Sequence, residues 1–205
     1  MPRRTKEEAA RTRALILKTA EKFFYQHGVV QTSLQEIAVG AGVTRGAIYW
    51  HFRDKADLLW SIADNVCLPY EDMMDRIVAS ETEDPLELLF NDMVESLNAI
   101  TNNASRRRVF TILTQRCEYI EEMAKLNRRN SAMRDRLQSR LVALFEKVVA
   151  RGNLAPAWTA RTAAMALQTF MIGWVHVEME YPSPSKKRDR ERNEMIADFF
   201  KALRN

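Results

Sequence analysis

Residues 32–52 read TSLQEIAVGAGVTRGAIYWHF. Two short amphipathic segments lie on either side of Ala41-Gly42-Val43. Thr32 or Ser33 is expected to cap a helix, and Ser33 with Glu36 has the spacing of a capping box. Leu34, Ile37 and Ala38 form its apolar face. A turn of about three residues that contains glycine is the length found between the helices of a helix-turn-helix. Thr44 caps the next helix, which ends near Phe52 and turns Val43, Ala47, Ile48 and Phe52 inward. Phe52 is assigned to the core and Trp50 to packing at the domain edge.

The outward residues of that helix suit a nucleic acid. Arg45 and Tyr49 are i, i+4 neighbours on a second face. A helix held by the turn before it can enter the major groove of B-DNA with its N-terminal residues on base edges. The Arg45 guanidinium matches guanine O6 and N7. Gly46 has no side chain to hold the helix away from the bases. Tyr49 can reach a thymine methyl or a phosphate. Thr44 sits at the helix start, and Thr32, Ser33, His51 and Lys55 lie at helix ends or just beyond, where donors hold phosphates. Arg3, Arg4 and Lys6 form a basic arm.

Charge distribution points the same way. Residues 1–55 contain ten Lys and Arg against five Asp and Glu, whereas residues 56–205 contain 21 against 22. The basic excess is therefore confined to the first quarter, which marks that segment for a polyanion.

Working outward, the chain is expected to be all-α. Gly and Pro number six each, no run alternates as a strand does, and apolar residues recur at helical spacing. The first helix is expected over Lys6–His27 with Gly28 just after its end. Asp54 caps a fourth helix that reaches about Ala79 with a kink at Pro69. Asp84-Pro85 opens a fifth, to about Thr101. A sixth covers Arg106–Cys117, a seventh Ala124–Arg151, an eighth Thr159–Tyr181 and a ninth Asp189–Leu203. SKKRDRER (185–192) is expected to be a solvated linker and first helical turn. The division is residues 1–55 for a three-helix DNA-binding domain and 56–205 for a larger helical domain, joined by the long fourth helix.

Other classes are excluded or disfavoured by what the sequence lacks. No apolar run approaches the ~20 residues that span a bilayer, and the polar start MPRRTKEEAARTR does not read as a secretory signal. Cys67 and Cys117 have no metal-ligand spacing and no activating neighbour, which fits a reducing cytoplasm and no metal. There is no phosphate-binding glycine loop, no HExxH and no nucleophile motif, and the three histidines are well spread, so no enzyme and no cofactor are expected.

The stretch Thr32–Leu59 resembles the TetR family of bacterial repressors, most closely its AcrR-type multidrug-efflux regulators. GVTRGAIYWHF (42–52) is typical of them, and RRTKEEAARTR and RRRVFTILTQRCEYIEEM (106–123) are similar to their counterparts. The resemblance implies base contacts by Arg45 and Tyr49 and backbone contacts by Thr32, Ser33, His51 and Lys55. It implies a helical ligand-binding and dimerisation domain, with helices eight and nine of two subunits forming a four-helix bundle. It also implies palindromic operator DNA, a small apolar or amphipathic inducer, and control of an efflux operon.

The larger domain supports two apolar surfaces, because the eighth helix is apolar around much of its circumference. The chain has ten methionines, and Met suits adaptable apolar surfaces; Met93 and Met171 are pocket candidates. Phe110 and Thr114 match pocket positions of the resembled subfamily, without the polar Asn or His of some relatives. His176 and Glu178 are either pocket polar groups or exposed ends at a dimer rim. Two alternatives stand beside the efflux reading. One is a repressor of the same fold answering a cellular metabolite; the other is a helical ligand-binding protein without operator binding.

Overall fold

The computed structural model describes residues 6–117, 124–181 and 185–205, with the side chains of 67–70 and 124–130 outside the description. Arg3, Arg4, Met123 and the side chain of Pro69 therefore lie outside the described residues. Among the described residues there are nine α-helices and no strand beyond an isolated antiparallel bridge between Leu154 and Arg204. They are α1 (Lys6–His27), α2 (Leu34–Gly40), α3 (Arg45–His51), α4 (Lys55–Ala79), α5 (Pro85–Thr101), α6 (Ala104–Gln115), α7 (Ala124–Ala150), α8 (Ala160–Glu180) and α9 (Lys186–Leu203).

The chain forms two compact units. One runs to Val66 and takes in the stretch that begins at Arg108; the other comprises Cys67–Arg107 and Arg129–Asn205. Three helices, α4, α6 and α7, therefore begin in one unit and end in the other.

In the first unit, α1 turns Ile16, Ala20 and Phe24 inward at i, i+4 and i+8. They share a core with Ile37 and Ala38 of α2, Ile48 of α3, Phe52, and Leu58, Leu59 and Ile62 of α4. Burying such a side chain contributes roughly 1.5–3 kcal/mol, so this core holds the two seven-residue helices α2 and α3, which would not be stable alone.

In the second unit, α5 buries Leu86, Leu89, Met93 and Leu97 on one face. Leu144, Phe145 and Val148 of α7, Leu167 of α8, and Ile196, Phe200 and Leu203 of α9 are buried as well. Polar ties supplement the apolar ones. Arg140 on α7 grips Asp75 on α4 through Nε at 2.5 Å and Nη2 at 2.8 Å. Arg192 on α9 is 4% exposed. Its guanidinium donates to Asp189 at 2.9 Å and to Asn98 on α5, and lies 5.4 Å from the ring centre of Trp174.

Helix starts fall where the caps were expected. Ser33 accepts from Glu36 N–H at 3.1 Å while Glu36 accepts from Ser33 N–H at 2.8 Å. Asp54 accepts from Asp57 N–H and Asp84 from Glu87 N–H. α4 runs from Lys55 to Ala79, the extent expected for it. Two expectations need correction. α6 begins at Ala104, with Asn103 accepting from Arg106 N–H, and ends two residues short of Cys117. α9 begins at Lys186 because Ser185 caps it by accepting from Arg188 N–H at 3.2 Å. The charge run is thus helix rather than linker.

Candidate nucleic-acid interface

The geometry of α2 and α3 is fixed by the turn between them. Gly42 has φ +63°, a left-handed conformation that costs a non-glycine residue about 1–2 kcal/mol. Val43 N–H donates to Ala38 O at 3.0 Å, and Gly42 N–H to Val39 O at 3.1 Å. This pair of bonds is the Schellman arrangement, which closes α2 and aims the chain into α3. Thr44 then caps α3 by accepting from Ala47 N–H at 3.2 Å.

Ile48 and Phe52 face the core, and Arg45 and Tyr49 face outward. Arg45 Nη2 donates to Tyr49 Oη at 3.1 Å, and its guanidinium carbon lies 5.5 Å from the tyrosine ring centre. The outward surface therefore presents an arginine fork already held on an aromatic ring. A Cβ on Gly46 would meet nothing nearer than the Thr44 hydroxyl at 3.8 Å, so the approach over α3 is open.

Trp50 departs from the expected packing role. It is 73% exposed, the most exposed large apolar side chain among the described residues. His51 meets it edge-on, with ring centres 4.5 Å apart. A large exposed ring beside Tyr49 extends the outward surface of α3.

The candidates for phosphate contact separate into two groups. Ser33 and Thr44 are exposed and His51 is half-buried. Ser33 also donates to the Glu36 carboxylate at 2.7 Å, and its backbone and side-chain hydrogen bonds hold that carboxyl below its usual range. Thr32 and Lys55 are placed differently. Thr32 is 2% exposed and its hydroxyl donates to Gly28 O at 2.7 Å, so this side chain shapes the fold instead of meeting solvent. Lys55 is half-buried, and its ammonium donates to Val30 O at 3.1 Å and Thr32 O at 3.2 Å.

Those bonds identify the loop 28–32 as a junction. Lys55, the first residue of α4, holds its two carbonyls. Just after α6, Arg116 O accepts from Val29 N–H at 3.0 Å. Higher on α6, Arg108 Nε donates to Glu21 of α1 at 2.7 Å. The next residue after the loop is Ser33, the cap of α2. Sequence reasoning missed these ties, since Arg108 and Glu21 are 87 residues apart and no local pattern links them. Cys117, just beyond Arg116, is buried; burial pushes its thiol up to about 11, against the nearby Lys55 charge. Such a thiol is inert at neutral pH.

The pocket candidates are dispersed. Phe110 is half-buried and Thr114 exposed, its hydroxyl donating to Phe110 O at 2.8 Å; both belong to the first unit. Met93 is buried on α5 and Met171 half-buried on α8, in the second unit. His176 is exposed on α8 with Glu180 at 3.8 Å, as an exposed end rather than a buried polar group. Glu178 is buried and faces Arg188 at 3.3 Å; burial raises its carboxyl above the usual range, against the pull of Arg188 and Arg192. Among the described residues no three His, Cys, Asp or Glu are grouped to hold a metal, and no helix is long and apolar enough to cross a membrane.

Comparison with known proteins bears on this arrangement. Residues 16–62 match the model of bacterial regulatory proteins of the tetR family, and residues 84–201 that of the C-terminal region of MAATS-type transcriptional repressors. The HTH-type transcriptional repressor BepR of Brucella suis is 42% identical over 180 residues, covering 86% of each chain. The crystal structure of NalD, the secondary repressor of the MexAB-OprM multidrug efflux pump in Pseudomonas aeruginosa, is 34% identical with a TM-score of 0.88, covering 98% of this chain and 99% of that one. A complex of SmeT, the repressor of the Stenotrophomonas maltophilia pump SmeDEF, with triclosan is 27% identical with a TM-score of 0.83, covering 95% and 92%.

Proposed function

We propose a function for this chain from one premise: it belongs to the TetR family of bacterial regulatory proteins. It is a transcriptional repressor that binds operator DNA and is released by a small molecule, with a multidrug efflux operon as its target; NalD and SmeT are named as repressors of multidrug efflux pumps, and SmeT is found in a complex with triclosan. The observation that carries this reading is the Arg45–Tyr49 pair on the outward face of α3. It sits beside an open Gly46 and an exposed Trp50, on a turn fixed by Gly42.

Residues 1–55 are assigned to DNA and 56–205 to ligand and dimer. Arg45 reads a guanine edge, Tyr49 an adjacent thymine or phosphate, and Ser33, Thr44 and His51 the backbone. Lys55 acts chiefly by holding the loop before α2, with one N–H left for a phosphate. The protein is a cytoplasmic homodimer with no catalytic role. Support for the dimer comes from α8, where Met165, Ile172 and Val177 are exposed, and from α9, where Met195 is exposed. Single exposed apolar residues are ordinary, but several on two neighbouring elements mark an interface.

Release follows from chain continuity. α4 and α6 both continue into the second unit, and Lys55 of α4 and Arg116, the residue after α6, are bonded to the loop 28–32 in the first. A ligand that shifts either helix moves this loop, and with it the Ser33 cap of α2. Gel-shift with the duplex upstream of the protein's own gene tests the reading. A discrete complex that survives competitor DNA and dissolves on adding an inducing compound is expected. Equal binding to scrambled DNA would overturn it.

A further inference from the structure

We propose that Gln138 is the hydrogen-bond acceptor of the small-molecule site in the second unit. A ligand bound there presents a neutral O–H or N–H to it beside an apolar body. The proposal rests on the ligand-responsive reading above and adds the chemistry of what is bound.

Among the described residues, the only buried side-chain oxygen or nitrogen without a hydrogen-bond partner is Gln138 Oε1. The same unit satisfies harder cases. Buried Arg192 has Asp189, Asn193 and Asn98 as partners. Buried Glu178 has Arg188. Buried polar groups are almost always paired, and an unpaired one costs its full desolvation. A leucine would fill this position without that cost. What a glutamine adds is one directional acceptor in apolar surroundings.

Its placement says which way the acceptor faces. Gln138, Leu141 and Phe145 lie at i, i+3 and i+7 on α7, and the latter two are at most 2% exposed. The charged side of the same helix lies about half a turn away. There Arg136 and Arg140 hold Glu71 and Asp75 of α4, and Lys147 holds the carbonyls of Val78 and Ser80. Gln138 therefore shares the apolar stripe and not the ionic one. α8 lies alongside: the Gln168 amide donates to Arg134 O at 3.0 Å, one turn before Gln138. One N–H of the Gln168 amide is thus engaged. Met171 follows it by three residues, half-buried, and a methionine adapts to apolar ligands of varied shape. Glu71 and Asp75 of α4 are taken by arginines on the other face. Gln138 Oε1 supplies an acceptor without a charge, and a neutral donor fits it.

Matched pairs that differ only in the donor test this. Triclosan, the compound in the SmeT complex, and 4-tert-octylphenol are each titrated calorimetrically against their O-methyl ethers, into the wild type and Gln138→Leu. The wild type is expected to prefer at least one phenol by about tenfold, the worth of one hydrogen bond. Gln138→Leu is expected to lose that preference while melting no lower than the wild type. A wild type that binds neither phenol more tightly than its ether overturns the proposal. So does a preference that survives in Gln138→Leu. A variant that melts lower and loses phenol and ether alike assigns Gln138 a structural role and overturns it too. Gel-shift on the same preparations separates the two readings. Operator binding without the phenol preference sinks the Gln138 assignment alone, and a wild type that ignores the operator sinks the repressor reading.

Discussion

Arg45 and Tyr49 hold each other before any DNA is present. The hydrogen bond at 3.1 Å and the ring contact at 5.5 Å restrict a side chain that otherwise has many rotamers, which lowers the ordering cost of binding. Arg45→Ala is expected to cost about 1–3 kcal/mol on the specific site and to relax discrimination at one guanine. Anisotropy titrations on the operator and on single-base variants measure this; equal losses on specific and random DNA would remove the base-reading role. Lys55 calls for a different expectation. Its ammonium holds two carbonyls of the loop 28–32, and hydrogen bonds to charged groups are worth about 1.5–3 kcal/mol. Lys55→Met should therefore lower the melting temperature as well as DNA affinity. A variant that loses affinity through its salt slope alone, with melting unchanged, would make Lys55 a phosphate ligand only.

The elements of the first unit are short and depend on their ends. α2 and α3 are seven residues each, too short to persist without caps and packing. Gly42→Ala places a Cβ at φ +63°, so it should cost about 1–2 kcal/mol of stability, read by urea unfolding. It should weaken operator binding further by misaiming α3. A variant as stable as the wild type would show that the turn is not held left-handed. This dependence on local chemistry explains what was legible in the sequence. Ser33 with Glu36, Thr44, Asp54 with Asp57 and Asp84 with Pro85 are caps, readable within four residues, and each starts a helix where expected. Trp50 was misjudged because a tryptophan in a short helix usually packs, and only tertiary structure shows which side is covered. Thr32 and Lys55 were assigned to phosphates by their places at helix ends. Their partners are carbonyls, in Lys55's case 23 and 25 residues away. The start of α9 differs because SKKRDRER has the look of a solvated charge run, although its serine is also a cap.

At the scale of the molecule, the proposed division between a DNA reader and an assembling domain rests on the basic excess in residues 1–55 and the apolar exposure of α8. One seven-residue helix touches few base pairs. In the proposed dimer, two readers about one duplex turn apart, ~34–36 Å, would supply the rest. Ile172, 51% exposed on α8, is the side chain chosen to test the dimer. Ile172→Glu should yield a monomer by light scattering at micromolar concentration and abolish the specific complex; a dimer that still binds DNA would exclude this face from the interface. The central claim is that one chain couples ligand to operator through α4 and α6. Coupling is reciprocal: whatever factor the ligand takes from operator affinity, the operator takes from ligand affinity. To change from 99:1 in favour of DNA to 1:99 needs a differential of ~10⁴-fold, about 5.5 kcal/mol. The direct measurement is calorimetric titration of an inducing compound into the protein, free and saturated with operator duplex. The account predicts much weaker ligand binding in the operator complex. Equal affinity in the two titrations would contradict it, and would leave a protein that binds DNA and ligand without linking them.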